Sequence, residues 1–177
     1  MEEVATQTPA GKPPRYLQLI VTTLLGAMAH TGVCWIALQL DFFRGSTEVF
    51  NGLFSVIWAG HMVLTLSLLV GVNRRFRDQS LSLPVILWST ASLLATAYYV
   101  DQVRLCVMIL FFAILQTGVF RLQFKAFVAL SSVTVLAYGG IIYLVARNHP
   151  EAIDVTGEVI QWAAFTMITV GAVMVAG

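Results

Sequence analysis

Two histidines lie deep inside stretches that carry no Asp, Glu, Lys or Arg. His30 stands 11 residues before Asp41, about 16 Å from it along a helix, and His61 stands 13 residues after Glu48, about 20 Å along. Neutral imidazole ligates metal ions and haem iron. Gly26 lies one turn before His30 and Gly60 adjoins His61, so a flat macrocycle or a second helix could approach closely. One expectation is therefore a haem or metal site bridged by His30 and His61. The alternative is a pair of packing histidines, hydrogen-bonded to each other, to Thr31 or to Thr65. Cys34 follows His30 at i+4, on the same helical face. With His61 and Met62 it could ligate a soft ion such as Cu(I). A buried apolar cysteine satisfies the sequence equally. Cys106 and Met108 read only as packing residues.

Other polar residues mark the ends of the apolar stretches. Asp101 and Arg104 stand at i,i+3 across a tight turn and can form an interfacial ion pair, worth at most about 1 kcal/mol if exposed. Arg74, Arg75 and Arg77 can lock topology, contact anionic lipid at about 1 kcal/mol each, or meet a cytoplasmic domain. Gln18, Gln39, Gln116 and Gln161, with Thr22, Thr23 and Thr31, can hydrogen-bond between helices. No phosphate-cradling glycine loop, serine elbow or HExxH is present, so no catalytic residue is assigned. Two cysteines provide neither a disulfide framework nor a zinc spacing.

The elements that position these residues follow from hydrophobicity. Of 177 residues, 58% are hydrophobic and 11% charged, against about 25% charged in ordinary soluble domains. Mean hydropathy is +0.83. A net charge of +1 removes any charge-driven nucleic-acid binder. Uncharged runs cover 16–40, 49–73, 79–100, 105–120, 126–146 and 159–177. About 20 apolar residues cross a bilayer core. The 16-residue fourth run is short, and Arg104 and Arg121 at its ends are expected to snorkel to the interfaces. Continuous apolar runs, rather than alternating ones, require helices. The fold class predicted is all-α: a polytopic membrane protein with a six-transmembrane-helix bundle. Its helices are expected at about 16–40, 49–73, 83–100, 105–120, 124–146 and 158–177, after a polar tail over 1–15.

Basic residues set the orientation. Lys12, Arg15, Arg74, Arg75, Arg77, Arg121 and Lys125 fall on one side, and Arg44, Arg104 and Arg147 on the other. The richer side is cytoplasmic, which places both termini there. Ala27-Met28-Ala29 looks like a signal-cleavage site, but the apolar run continues to Leu40 and suits a retained helix better. Short connections make neighbouring helices antiparallel, and Asp154 is a plausible cap for the last helix. Ala91/Ala95, Ala172/Ala176 and Gly139-Gly140 are candidate seams for a dimer or for close helix packing. The sequence ends inside an apolar run, which reads as a membrane module with a cytoplasmic continuation.

One stretch runs Asn73-Arg74-Arg75-Phe76-Arg77-Asp78-Gln79-Ser80-Leu81-Ser82-Leu83-Pro84, with Trp88 following. Further on stand Tyr99-Val100-Asp101-Gln102-Val103-Arg104 and Gly118-Val119-Phe120-Arg121-Leu122, then His149-Pro150-Glu151, Ile153-Asp154 and Gln161-Trp162. From about Asn73 onward the chain resembles the six-helix N-terminal membrane modules of bacterial GGDEF diguanylate cyclases, related to the sensor domains of class III adenylate cyclases. The resemblance implies a sensor or regulator in the bacterial inner membrane. It would act as a homodimer and control a cytoplasmic cyclase output domain in the same polypeptide, and so c-di-GMP signalling. It also implies that Asp101 and Arg104 border the outer mouth of a sensory cavity. Two other functions remain open: a haem-binding electron-transfer or redox-sensing subunit using His30 and His61, and a small transporter.

Overall fold

The computed structural model describes residues 15–70, 82–119 and 122–176. Among the described residues six α-helices follow one another: α1 (Arg15–Gln39), α2 (Thr47–Leu69), α3 (Ser82–Tyr99), α4 (Arg104–Val119), α5 (Phe124–Asn148) and α6 (Val155–Ala176), with a short 3-10 turn at Pro150–Ala152. Among the described residues there is no strand, only an isolated antiparallel bridge between Phe43 and Val100. The expected basic turn at Arg74, Arg75 and Arg77 lies outside the described residues, as do residues 1–14 and Arg121.

Among the described residues four helices, α1, α2, α5 and α6, are long and apolar enough to cross a membrane. They present Leu25, Met28, Val56, Val63, Leu136, Met167 and Val175 outward, each more than half exposed. Large apolar side chains arrayed around a bundle suit a hydrocarbon solvent and not water. The chain is a helical membrane protein. α3 and α4 are shorter, 18 and 16 residues, and they form the centre. α3 packs on α1, α2, α4 and α5, and α4 packs on α1, α3, α5 and α6. Among the described residues α1 and α2 do not touch α5 or α6, so two outer hairpins flank a central one.

Packing without a hydrophobic drive relies on close fit and on polar contacts between helices. Both devices occur at tryptophans. The Trp88 ring of α3 lies so close to Gly60 of α2 that a methyl group there would overlap it, and its Nε1 donates to the Ile57 carbonyl at 3.1 Å. Trp162 of α6 sits against Gly139 of α5, 3.1 Å from a built Cβ, and donates to the Val135 carbonyl at 2.9 Å. The small residue beside His61 thus admits an indole, and Gly139 receives a side chain of its own chain. Trp58 donates to Thr31 Oγ1 at 3.1 Å, joining α2 to α1.

The connections α1–α2, α3–α4 and α5–α6 gather at one end, which carries most of the acidic residues. There the first two are stitched together. Arg44 N–H donates to the Tyr99 carbonyl at 2.6 Å, and Asp101 N–H to the Phe42 carbonyl at 2.8 Å. Asp41 and Gln102 take positive φ values of 58° and 42° to make these turns. Ser46 caps α2 by accepting from Val49 N–H. Asp154 caps α6, its Oδ1 accepting from Thr156 N–H at 3.1 Å. α6 therefore begins at Val155, three residues before the start expected near 158, and the cap explains the extension.

Candidate functional sites in the bundle and at its acidic end

His30 of α1 and His61 of α2 are buried at 4% and 3% exposure and line one cavity of about 100 Å³ between α1, α2, α3 and α4. They are not held by the partners expected from sequence. His30 Nε2 meets Thr96 Oγ1 of α3 at 2.8 Å. Thr31 instead bonds the Ala27 carbonyl and Trp58. Thr96 Oγ1 lies 3.1 Å from the Ser92 carbonyl and 3.0 Å from that of Leu93. With its single proton directed to its own helix, the hydroxyl accepts from His30. That favours the Nε2–H tautomer and leaves Nδ1 as an acceptor. His61 Nδ1 is buried without a partner.

These groups have the right chemistry for a metal or haem iron, yet the surroundings are narrow. Small-molecule and cofactor sites commonly occupy ~300–1,000 Å³, and this cavity is about 100 Å³. The approach beside Gly60 is filled by Trp88. A macrocycle does not fit between these imidazoles in this arrangement. Cys34 is fully buried in the main core, beside Thr96, and is not among the residues lining the histidine cavity. Among the described residues no three His, Cys, Asp or Glu side chains come together as a metal site. Met108 is fully buried and Cys106 is exposed.

The acidic end holds a second, more polar constellation. Arg104, expected to snorkel outward, is instead 0% exposed. Its Nε donates to the Ala97 carbonyl in the last turn of α3 at 2.6 Å. Its Nη2 lies 3.4 Å from Asp101 Oδ1, and its Nη1 donates to Glu158 Oε1 in the first turn of α6. The local fold favours this arrangement, because a cation suits a helix C-terminus and an anion a helix N-terminus. One guanidinium therefore ties together the end of α3, the start of α4 and the start of α6. The i,i+3 pair anticipated from sequence is present, but as the weaker arm of a buried cluster.

Arg44 completes this cluster. Its Nη1 lies 3.2 Å from Asp101 Oδ1, its Nη2 donates to the Tyr98 carbonyl, and its guanidinium sits 5.0 Å from the Tyr98 ring centre. Burial raises the Asp101 pKa above its ordinary 3.8, opposed by Arg44, Arg104 and His149. Three buried polar atoms near the cluster lack partners: Glu158 Oε2, Gln161 Oε1 and Tyr138 Oη.

Sequence reasoning missed Glu158 and Arg44 as site residues. Glu158 stood only as the first residue of the last helix, expected at about 158–177, and as one of the acids on one side of the membrane. The available signal was its i+4 spacing from the Asp154 cap, which puts it in the first turn of a helix begun at Val155.

Above the cluster opens a cavity of about 580 Å³. The α1–α2 turn, the α3–α4 turn, the α5–α6 connection and the first turns of α6 wall it. No family model, curated protein or solved structure matches this chain, so its site geometry and chemistry carry the functional reading.

Proposed function

We propose that this chain is the membrane sensor module of a signalling protein, with six spans and both termini in the cytoplasm. In this reading the acidic end faces outward, in the bacterial inner membrane. α6 passes a signal to a C-terminal cytoplasmic cyclase, a diguanylate cyclase by the resemblance, in a homodimer. Ala91 and Ala95 of α3 are exposed and could form its seam. The observation that carries this reading is the buried clasp of Arg104 on Glu158 and Asp101. It joins the turn beneath the outer cavity to the start of the last helix, so a ligand that alters the clasp alters where α6 begins. Such a ligand must bind two clasp arrangements with different affinity, since equal affinity shifts nothing. Six spans follow if the short α3 and α4, shielded by the outer hairpins, also cross.

The test joins a diguanylate cyclase domain in frame after α6 and measures c-di-GMP in cells at matched membrane protein levels. Asp101→Asn, which keeps shape and removes one arm's charge, is expected to change output. Equal output from both proteins would remove the reading. The visible spectrum of the purified chain tests the haem alternative. No Soret band is expected. A band lost on replacing His30 and His61 would instead establish haem held by these histidines.

A further inference from the structure

The cavity between α1, α2, α3 and α4 differs in chemistry from the acidic end. No Asp, Glu, Lys or Arg lines it. Its wall is mostly aliphatic, with Leu19, Val85 and Ile86 among its residues, and is interrupted by a few hydroxyls and the two imidazoles. Each imidazole keeps a ring nitrogen uncommitted. His30 Nε2 is engaged by Thr96, while Nδ1 has no partner among the described residues. His61 Nδ1 is sealed in the packing without a partner. Its Nε2, like His30 Nδ1, is unpartnered and not sealed. Both residues are almost fully buried, so the cavity they line is the space to which these two nitrogens open. The cavity also has a side entrance. Gly26 of α1 and Ala113 of α4 line it and are exposed on the surface of the bundle. Nothing stands within 4 Å of a Cβ built on Gly26. Because α1 is one of the membrane-crossing helices, this entrance gives onto lipid.

We infer that this cavity binds a small neutral phenol taken up from the bilayer. The guest is uncharged, because a charge at this depth is costly and the wall offers no counter-charge. It is a single ring, because the volume is about 100 Å³, while an engineered apolar cavity of about 150 Å³ binds benzene. The open side lets the far edge of the ring project toward lipid. It brings an O–H, because His30 gives its Nε2 proton to Thr96 and so presents Nδ1 as an acceptor. A hydroxyl donates once and accepts twice. It therefore donates to His30 Nδ1 and accepts from His61 Nε2–H, the tautomer that such a guest selects. A phenolic hydroxyl, with a pKa of about 10, donates more strongly than an alkyl one. The site stands on this geometry and does not depend on the sensor reading above.

Nuclear magnetic resonance of the purified chain in mild detergent, with nitrogen-15 in its histidine rings, tests the site. Phenol is the probe. Toluene, of similar size without the hydroxyl, is the control at equal concentration within the micelle. Phenol is expected to move the ring-nitrogen signals of His30 and His61 saturably. Toluene is expected to bind about tenfold more weakly, the factor for two weak neutral hydrogen bonds. His30→Leu is expected to bind phenol and toluene alike. If that variant fails to fold, His61→Leu takes its place. Gly26→Leu, which narrows the entrance, is expected to weaken both guests. Signals that do not move saturably with phenol overturn the site, since the cavity then holds water alone. Equal binding of phenol and toluene by the unaltered chain overturns it too, because the imidazoles then recognise nothing. A preference for phenol that survives in the folded histidine variant places the hydroxyl elsewhere and also overturns it. Unchanged binding by Gly26→Leu overturns the entrance from lipid.

Discussion

Removing the carboxylate of Glu158 tests the central feature of the structure. Arg104 is 0% and Glu158 4% exposed, so their pair is not a surface contact. Deleting one member of a buried pair leaves a charge in a poor solvent and costs about 3–5 kcal/mol, against about 0–1 for an exposed pair. In Glu158→Ala, Arg104 keeps Asp101 at 3.4 Å and the Ala97 carbonyl at 2.6 Å. The loss is therefore expected at the lower end, about 3 kcal/mol. Arg104→Ala removes all three contacts and leaves Glu158 with neither oxygen paired, so it is expected to cost more. The double variant Arg104→Met/Glu158→Leu replaces both charges with apolar groups of similar length and is expected to recover much of the loss. Reversible unfolding in mixed micelles, followed by tryptophan fluorescence, measures these variants together with Arg104→Ala/Glu158→Ala, which closes the cycle with the wild type and the two single variants. A cost below about 1 kcal/mol for Glu158→Ala would show that water solvates the pair. An Arg104→Ala/Glu158→Ala variant as unstable as the sum of the singles would show that the two residues do not act together. Either result refutes the clasp.

Three further outcomes follow from particular residues. Asp101 has a folded pKa raised above 3.8 by burial, so the folded state binds more protons than the unfolded one between those values. Stability is then expected to fall as pH rises through that window, and Asp101→Asn should flatten this slope in unfolding measured across pH. Gly60→Ala drives a methyl into the Trp88 ring and is expected to cost about 1–3 kcal/mol. Gly140→Ala meets nothing within 4 Å and should be neutral or stabilise by up to about 1 kcal/mol, since alanine favours helix; the same unfolding assay compares the two. Cys106 is exposed near the acidic end and Cys34 is buried. A membrane-impermeant maleimide applied to intact cells should label Cys106 alone, and labelling only after lysis would reverse the proposed orientation.

Six apolar runs and the residues that interrupt them were legible in the sequence, because hydrophobicity is a local property and short connections force neighbours to be antiparallel. His30 and His61 could be placed at similar depth by counting 1.5 Å per residue, and the structure does bring them to one cavity. Their partners were not legible. Thr96 lies 66 residues from His30, and helix rise says nothing about which face a neighbouring helix presents. The same limit governs Arg104. Its nearest sequence partner, Asp101, was evident from i,i+3 spacing, while Glu158 stands 54 residues away. Arg104 turns inward, not toward the interface, because the Ala97 carbonyl, Asp101 and Glu158 together offset the cost of burying its charge. The sequence by itself determined a helical membrane protein, its spacing and its charge asymmetry. Only the tertiary structure decided that α3 and α4 form the centre and that one arginine joins α3, α4 and α6. It also decided that the acids of three separate connections share a cavity. Those outcomes depend on the order of helices around the bundle, which long-range packing sets and local pattern does not encode.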